Sequence, residues 1–302
     1  DASANDWSSM STGYRTGPLR KSECPGDLDA VARIMMEWAD ATNVTGHLDD
    51  EPISYIEKDD DIYETMDFYR LDDPYSTGEI IVENRQYGGF NSYLPEWWKA
   101  ITHGGLLVWW HPSSTSQSRY LRPGDNDFDI MSVPPETYWA GGDAGDPFPG
   151  TSNNSAITPY TTPNTNNGSS FTGLAVTNIS TSATSMTANF YVNYWSGPIT
   201  SNTTWTSANS PYYIGGDITV ESGVTLTIES GATVNFVAGQ DAQSGGASSS
   251  KCELIVEGTL DAESATFTST DGTDNSWYGI RFTSSSSSSC HLDGCTIEDA
   301  QY

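Results

Sequence analysis

Basic residues are scarce in this chain. Lysine and arginine together number 12, against 40 aspartates and glutamates, and the formal net charge is −28. Nucleic acids and anionic membrane surfaces repel such a chain, so neither is expected as a partner. No apolar run approaches the roughly 20 residues that a spanning helix needs, so no membrane span is expected. An acidic chain favours cations instead, and calcium is the usual choice outside the cell.

Cysteine is also rare, with four residues in 302. In an oxidising compartment we expect one disulfide among Cys252, Cys290 and Cys295, while Cys24 has no evident partner within the chain. The sequence does not choose among the pairings.

The four histidines, His47, His103, His111 and His291, do not have the H-E-x-x-H spacing with which two imidazoles hold a hydrolytic zinc ion. We therefore expect no zinc site and no catalysis from this polypeptide itself.

Aromatic residues are plentiful, with 10 Trp, 16 Tyr and 9 Phe, which supply too much buriable area for a disordered chain. The composition, rich in Ser, Thr, Asn and Gly, is typical of an exported protein. Five N-x-S/T sequons agree with an extracellular or cell-surface location and are candidate glycosylation sites: Asn43, Asn153, Asn167, Asn178 and Asn202. A chain that opens "DASANDW" is expected to be a processed product or a piece of a longer protein.

The first two thirds of the chain read as a β-rich domain with one clear helix. Residues 27–40 carry apolar residues at helical spacing, with Asp27 as the expected N-cap. The runs 78–85 and 104–111 predict strands buried on both faces. Residues 185–195 alternate strictly, which predicts a half-buried antiparallel strand. Residues 112–170 read as loops.

From residue 214 the sequence repeats short β-branched strands that end at glycine or another small residue. The first expected stack of inward residues is Ile218, Val220, Val224, Leu226, Ile228, Val234 and Phe236. The second is Leu254, Val256, Leu260 and Phe267, and the third is Ile280, Phe282, Leu292 and Ile297. This pattern predicts the first coils of a right-handed parallel β-helix, with a β-sandwich as the alternative.

The predicted organisation is therefore a domain over 1–195, a connector over 196–213 and a β-helical segment over 214–302, mainly β throughout. The apolar pattern runs on to "CTIEDAQY" without a polar cap. We expect either further coils of the same protein or another subunit to cover that edge.

Several segments of residues 1–195 resemble, in order, the immune-inhibitor-A family of secreted bacterial zinc metallopeptidases. They are "NDWSSMSTG" (5–13), the helix 27–40, "ENRQYGGFNSYLP" (83–95), "GGLLVWWHP" (104–112), "GGDAGDPFPGTSNN" (141–154) and "TGLAVTNISTSATSMTANF" (172–190). The resemblance implies that Met10 lies in the family's methionine turn, beneath a zinc site whose H-E-x-x-H motif would precede residue 1. The last third is similar to the β-helical tails that follow some peptidase domains.

Residues 125–136, "DNDFDIMSVPPE", place carboxylates at positions 1, 3, 5 and 12 of a calcium loop. Position 6 is Ile130 instead of glycine, so an EF-hand is not expected, and a solvated acidic loop is the alternative. The candidate calcium ligands are Asp125, Asp127, Asp129, Glu136, Asp143 and Asp146. For the last two, turn formation between glycines is the alternative role.

Two further features favour structural roles over functional ones. His111 ends an apolar strand, which favours a hydrogen-bonded core histidine over a metal ligand. An aromatic cluster favours core packing over a sugar-stacking platform: Tyr87, Phe90, Tyr93, Trp97, Trp98, Trp109 and Trp110.

Two functional hypotheses follow. In the first, the chain is a non-catalytic extracellular structural module whose partners are other copies of itself, conceivably in a fibre, with glycans on its surface. In the second, it is the part of an active secreted zinc metallopeptidase that lacks the zinc ligands, and its partner is the missing N-terminal peptidase segment.

Overall fold

A computed structural model describes residues 29–55, 67–86, 104–112, 120–121 and 145–301, with the backbone alone at 120–121. The chain divides into two compact units, residues 1–191 and 192–302. Strands dominate the described residues of both units, and those of the second unit form parallel coils. The prediction of a mainly β chain that ends in the first coils of a β-helix is confirmed.

The first unit contains one described helix and two sheets. The elements are α1 (Ala30–Met35), β1 (Thr42–Val44), β2 (His47–Ser54), β3 (Tyr69–Asp72), β4 (Glu79–Arg85), β5 (Gly105–His111), β6 (Tyr120–Leu121), β7 (Leu174–Thr177) and β8 (Ser185–Val192). One sheet has the order β1-β3-β4-β5-β6, in which only β1 and β3 run parallel. The other has the order β2-β8-β7.

The predicted strands at 78–85 and 104–111 are β4 and β5, and every residue of both is buried. They pair antiparallel along seven residues, so they form the centre of the five-stranded sheet. α1 lies against one face of this sheet, where Val31 packs with Ile81 and Trp109. Burial on both faces explains why neither strand alternates between apolar and polar residues.

The helix is shorter than predicted. Asp29, not Asp27, caps it, since its carboxylate accepts a hydrogen bond from the Ala32 N–H at 2.8 Å; Asp27 and Leu28 lie outside the described residues. The helix ends because Glu37 adopts a left-handed conformation at φ 57°. The Glu37 and Trp38 N–H groups then donate to the carbonyls of the last turn, as in a Schellman motif.

The apolar stripe predicted for residues 27–40 consequently breaks at its C-terminal end. Met35 and Trp38 are exposed instead of packed in the core, because the helix stops before their turn is completed. The buried part of α1 is its first turn, Ala30 to Arg33.

Strand β8 is more deeply buried than its alternating sequence indicates. Asn189 and Tyr191 lie on the strand face opposite the apolar one, yet both are buried. Their polar atoms are satisfied locally: Asn189 accepts a hydrogen bond from the Asp50 N–H at 2.8 Å, and the Tyr191 hydroxyl donates to Asp49. The strand ends where Asn193 takes a positive φ of 65°.

The second unit is a three-faced parallel solenoid. Its strands are β9 (Tyr194–Ile199), β10 (Thr203–Trp205), β11 (Tyr212–Val220), β12 (Thr225–Ile228), β13 (Thr233–Phe236), β14 (Glu253–Val256), β15 (Thr259–Glu263), β16 (Thr266–Ser269), β17 (Gly279–Phe282), β18 (His291–Asp293) and β19 (Thr296–Ile297). Every strand pair among them is parallel. The alternative of a β-sandwich built from hairpins is therefore wrong.

The coils bend at fixed corners, so β9 and β11 each contribute to two faces. The N-terminal part of β11 pairs with β13, and its C-terminal part pairs with β14. The first face stacks β9, β11, β13, β16 and β19; the second stacks β9, β11, β14 and β17; the third stacks β10, β12, β15 and β18.

The connector predicted at 196–213 is instead most of the first coil. β9 pairs with β11, and β10 pairs with β12. Sequence reasoning missed this coil because its strands carry Ser196, Gly197 and Pro198 in place of β-branched residues. Such residues are usually depleted in strands.

The predicted inward residues stack in straight rows. Ile199, Val220, Val256 and Phe282 occupy one row from coil to coil. Tyr212, Val234, Phe267 and Ile297 occupy another. The first and second predicted stacks are buried throughout, and the third continues the same rows.

The rings of Phe236 and Trp277 stack in the core, nearly parallel and with their centroids 3.9 Å apart. We expect Phe236→Ala to lower the free energy of unfolding by about 3–5 kcal/mol, because it leaves a cavity inside the stack. Urea unfolding followed by far-UV circular dichroism measures the change.

Asn235→Ala is the matched control, since Asn235 is the neighbouring residue on the outer side of the same strand. Its expected effect is within about 0.5 kcal/mol. Equal effects of the two substitutions would contradict the assignment of inward and outward faces.

Candidate functional site

Two groups of buried charged side chains stand out among the described residues, one in each unit. The first lies on the face of the five-stranded sheet that α1 covers. Alternate residues of a strand share a face, so Glu79, Glu83 and Arg85 of β4 lie on the same side as Trp109 and His111 of β5. All five are buried.

Glu79 lies between two basic groups. Its Oε1 atom is 2.5 Å from His111 Nδ1, and its Oε2 atom is 2.6 Å from Arg70 Nε. The Arg70 guanidinium also reaches the exposed Asp72 at 3.0 Å. His111 is thus a hydrogen-bonded core histidine, as its position at the end of an apolar strand indicates.

Glu83 has partners on both oxygens. Its Oε1 atom accepts hydrogen bonds from Trp109 Nε1 at 2.7 Å and from the Ala30 N–H at 3.4 Å, at the start of α1. Its Oε2 atom accepts one from Arg85 at 3.0 Å. Because Glu83 bonds to the first residue of α1 as well as to β4 and β5, this arrangement fixes the helix on the sheet.

The second group is a row of carboxyls on the solenoid. Asp217 and Glu253 directly precede Ile218 and Leu254, which pair between adjacent coils. Both acids are buried, and Asp217 Oδ1 accepts a hydrogen bond from the Glu253 N–H at 3.0 Å. Arg281 on the next coil contacts Glu253 Oε2 at 2.6 Å.

This pairing of like charges affects protonation. Burial, together with the nearby carboxylates of Asp241 and Glu253, raises the pKa of Asp217 to about 6, although the hydrogen bond from the Glu253 N–H and the charge of Arg281 act in the opposite direction. The hydrogen bond to Glu253 raises the pKa of Arg281, which stays charged. The arrangement can therefore take up a proton near neutral pH.

Sequence reasoning missed this row. The repeat pattern could have revealed it, because Ile218 and Leu254 were already predicted to occupy equivalent positions in successive coils. The residue before each is acidic, so aligning the repeats places Asp217 above Glu253.

The calcium prediction falls mostly outside the described residues. Asp125, Asp127, Asp129, Glu136 and Asp143 all lie there, and Asp146 alone is described, as a buried residue. Within the described ranges, no three His, Cys, Asp or Glu side chains come together as a metal site. Calcium binding by these acids stays a prediction.

Of the predicted aromatic cluster, Trp109 and Trp110 are buried in the core. The other members, Tyr87, Phe90, Tyr93, Trp97 and Trp98, lie outside the described residues, as do Met10 and Cys24.

The five sequon asparagines are all exposed: Asn43, Asn153, Asn167, Asn178 and Asn202. Each is therefore accessible to a modifying enzyme, and glycosylation stays a prediction.

The three cysteines of the solenoid are free thiols in the structure. Cys252 donates to the Gln240 carbonyl at 2.8 Å, Cys290 to the Gly258 carbonyl and Cys295 to the Ala262 carbonyl. A disulfide among these three residues stays a prediction.

No helix in the described part of the chain has the length and apolar character needed to cross a membrane. Comparisons with protein-family models, curated proteins and solved structures gave no match. The resemblance of residues 1–195 to immune-inhibitor-A peptidases accordingly stays a prediction.

The contacts of Glu79 predict how a substitution at this residue changes the stability of the protein. We expect Glu79→Gln to lower the free energy of unfolding by about 3–5 kcal/mol, because it leaves Arg70 and His111 with a neutral partner in a buried site. Chemical denaturation monitored by tryptophan fluorescence provides the measurement.

Asp72→Asn is the matched control, since Asp72 contacts the same guanidinium with 68% of its side chain exposed. Its effect should stay within about 1 kcal/mol. A small effect of Glu79→Gln would show that this network does not stabilise the sheet.

Proposed function

We propose that this chain is a non-catalytic extracellular structural module whose solenoid stacks on β-structure of neighbouring chains, as in a fibre. The observation that carries the proposal is the apolar edge formed by β17, β18 and β19. In the described residues each of these strands pairs with a strand on one side only.

The inward rows continue onto this edge without a cover. Phe282 is 45% exposed, although Val256, the residue before it in the row, is fully buried. Ile297 is 48% exposed, although Phe267 before it is fully buried. Burial of such side chains contributes about 1.5–3 kcal/mol each, so a further parallel coil is favoured there.

The backbone of the edge supports the same proposal. A strand with one free side presents N–H and C=O groups in register for another strand. Parallel pairing with β17 and β19 would place an incoming apolar residue over Phe282 and another over Ile297, as in every earlier coil. Because such a contact uses two different surfaces, it is heterologous and can repeat into a filament.

Two observations support a non-catalytic role. The sequence has no pair of histidines at zinc-binding spacing. The buried Glu79, Glu83 and His111 are engaged by neighbouring side chains within the sheet. The exposed sequons and the acidic composition support an extracellular location with glycans on the surface.

The test is the association of the 302-residue polypeptide. Sedimentation velocity over a range of concentrations should show growing assemblies, and electron micrographs should show filaments. We expect Phe282→Asp combined with Ile297→Asp to leave the protein monomeric, because the charges oppose apolar stacking at the edge.

Ser284→Asp is the control for added charge, since Ser284 is exposed beside the same strand. It should assemble like the unmodified chain. Purified chain that stays monomeric at high concentration, or an edge double variant that assembles normally, would refute the proposal. Casein hydrolysis blocked by a chelator in the parent protein would favour the peptidase hypothesis instead.

A further inference from the structure

The chain between β13 and β14 is the longest corner of the described solenoid, and we call residues 237–252 the strap. The strap lies over the bend in β11. The Ala242 N–H donates to the Gly215 carbonyl at 3.1 Å, and the Gln243 side chain donates to Ser196 Oγ at 2.7 Å. At Gly216, a Cβ atom would lie 2.1 Å from Gln243 Oε1, so the strap packs directly on the glycine backbone.

The underside of the strap rests on the carboxyl row. The Ala247 N–H donates to Glu253 Oε1, and Gly246 packs against both acids. A Cβ atom on Gly246 would lie 1.7 Å from Glu253 Oε1 and 2.8 Å from Asp217 Oδ2. The two carboxyls are therefore close neighbours beneath the same residue of the strap, which explains why that residue is glycine.

The charges around this contact do not balance. Asp217 of β11 faces Glu253 of β14, Arg281 of β17 and Asp241 of the strap itself. Asp241 is held inside the strap, where its carboxylate accepts hydrogen bonds from the Gln243 and Gly245 N–H groups. Three carboxyls thus lie near one guanidinium, and because two of them, Asp217 and Glu253, are buried, the repulsion between them is strong.

We propose that the strap is a pH-sensitive closure, held on the solenoid while the Asp217 carboxyl beneath Gly246 is protonated and released when that carboxyl ionises. Protonated Asp217 removes the repulsion under Gly246 and keeps the hydrogen bonds of the strap intact. Full ionisation places uncompensated negative charge there, which lifting of the strap exposes to water.

The direction of the pH effect follows from linkage. With the strap closed, the pKa of Asp217 is raised to about 6, whereas in the open form, exposed to water, it returns toward its ordinary value of 3.8. The closed form therefore binds the proton more tightly. The extra stability of the closed strap is fully present below pH 3.8 and is lost as the pH rises through about 6.

Hydrogen exchange of the intact chain, read by mass spectrometry, tests this proposal. Rates for strap peptides at pH 5 and pH 8 are divided by the intrinsic rates of the unfolded sequence at each pH. We expect the corrected exchange of the strap to be about tenfold faster at pH 8, which follows from the two pKa values. Peptides of β12 and β15 should show no such change.

Asp217→Asn keeps an oxygen to accept the Glu253 N–H and cannot ionise. It should hold the strap equally protected at both pH values, while Asp261→Asn, at an exposed position of β15, should behave like the unmodified chain. The proposal is overturned if the unmodified strap exchanges independently of pH, or if Asp217→Asn keeps the tenfold change.

A second variant covers the case in which Asp217→Asn disturbs the fold, seen as lost protection in β12 and β15. Asp241→Asn leaves the carboxyl row intact and removes one charge that raises the pKa of Asp217, so the rise in strap exchange from pH 5 to pH 8 should be smaller than in the unmodified chain. An unchanged rise in this variant would count against the proposal.

Discussion

Parallel stacking of inward side chains in register is the constraint on which the second unit depends. Each coil buries its apolar side chains only against the coils above and below, so no coil is stable alone. Rows such as Ile199, Val220, Val256 and Phe282 show the rule, since burial falls where a row reaches the edge. The stability of this unit therefore depends on the contact between successive coils.

The two units solve the burial of charge in different ways. In the five-stranded sheet, Glu79 and Glu83 each have basic or N–H partners for both oxygens. In the solenoid, the fixed rise between coils places Asp217 and Glu253 in one row with a single arginine nearby. Because the coils repeat the same geometry, the two acids are buried next to each other, and the pKa of Asp217 is raised.

Sequence reasoning succeeded where a local pattern and its burial agree. The buried strands β4 and β5 and the inward residues of the solenoid were predicted because their runs or repeats of apolar residues are local features of the sequence. The predictions failed where contacts between distant parts of the chain determine the local structure. Nothing local shows that Glu37 would end α1, that Tyr191 would be buried, or that Ser196 and Pro198 would form a strand by pairing with β11. The carboxyl row was visible only after repeats of unequal length were aligned.

The unequal corners have a consequence for how such a protein changes over generations. Rows are matched by the strands alone, so residues 237–252 enlarge one coil while β13 and β14 keep their places above and below. Insertions and deletions at a corner thus change the stacking of the inward side chains very little. Proteins with this architecture can therefore change their surface through longer corners, while the paired strands keep the same register.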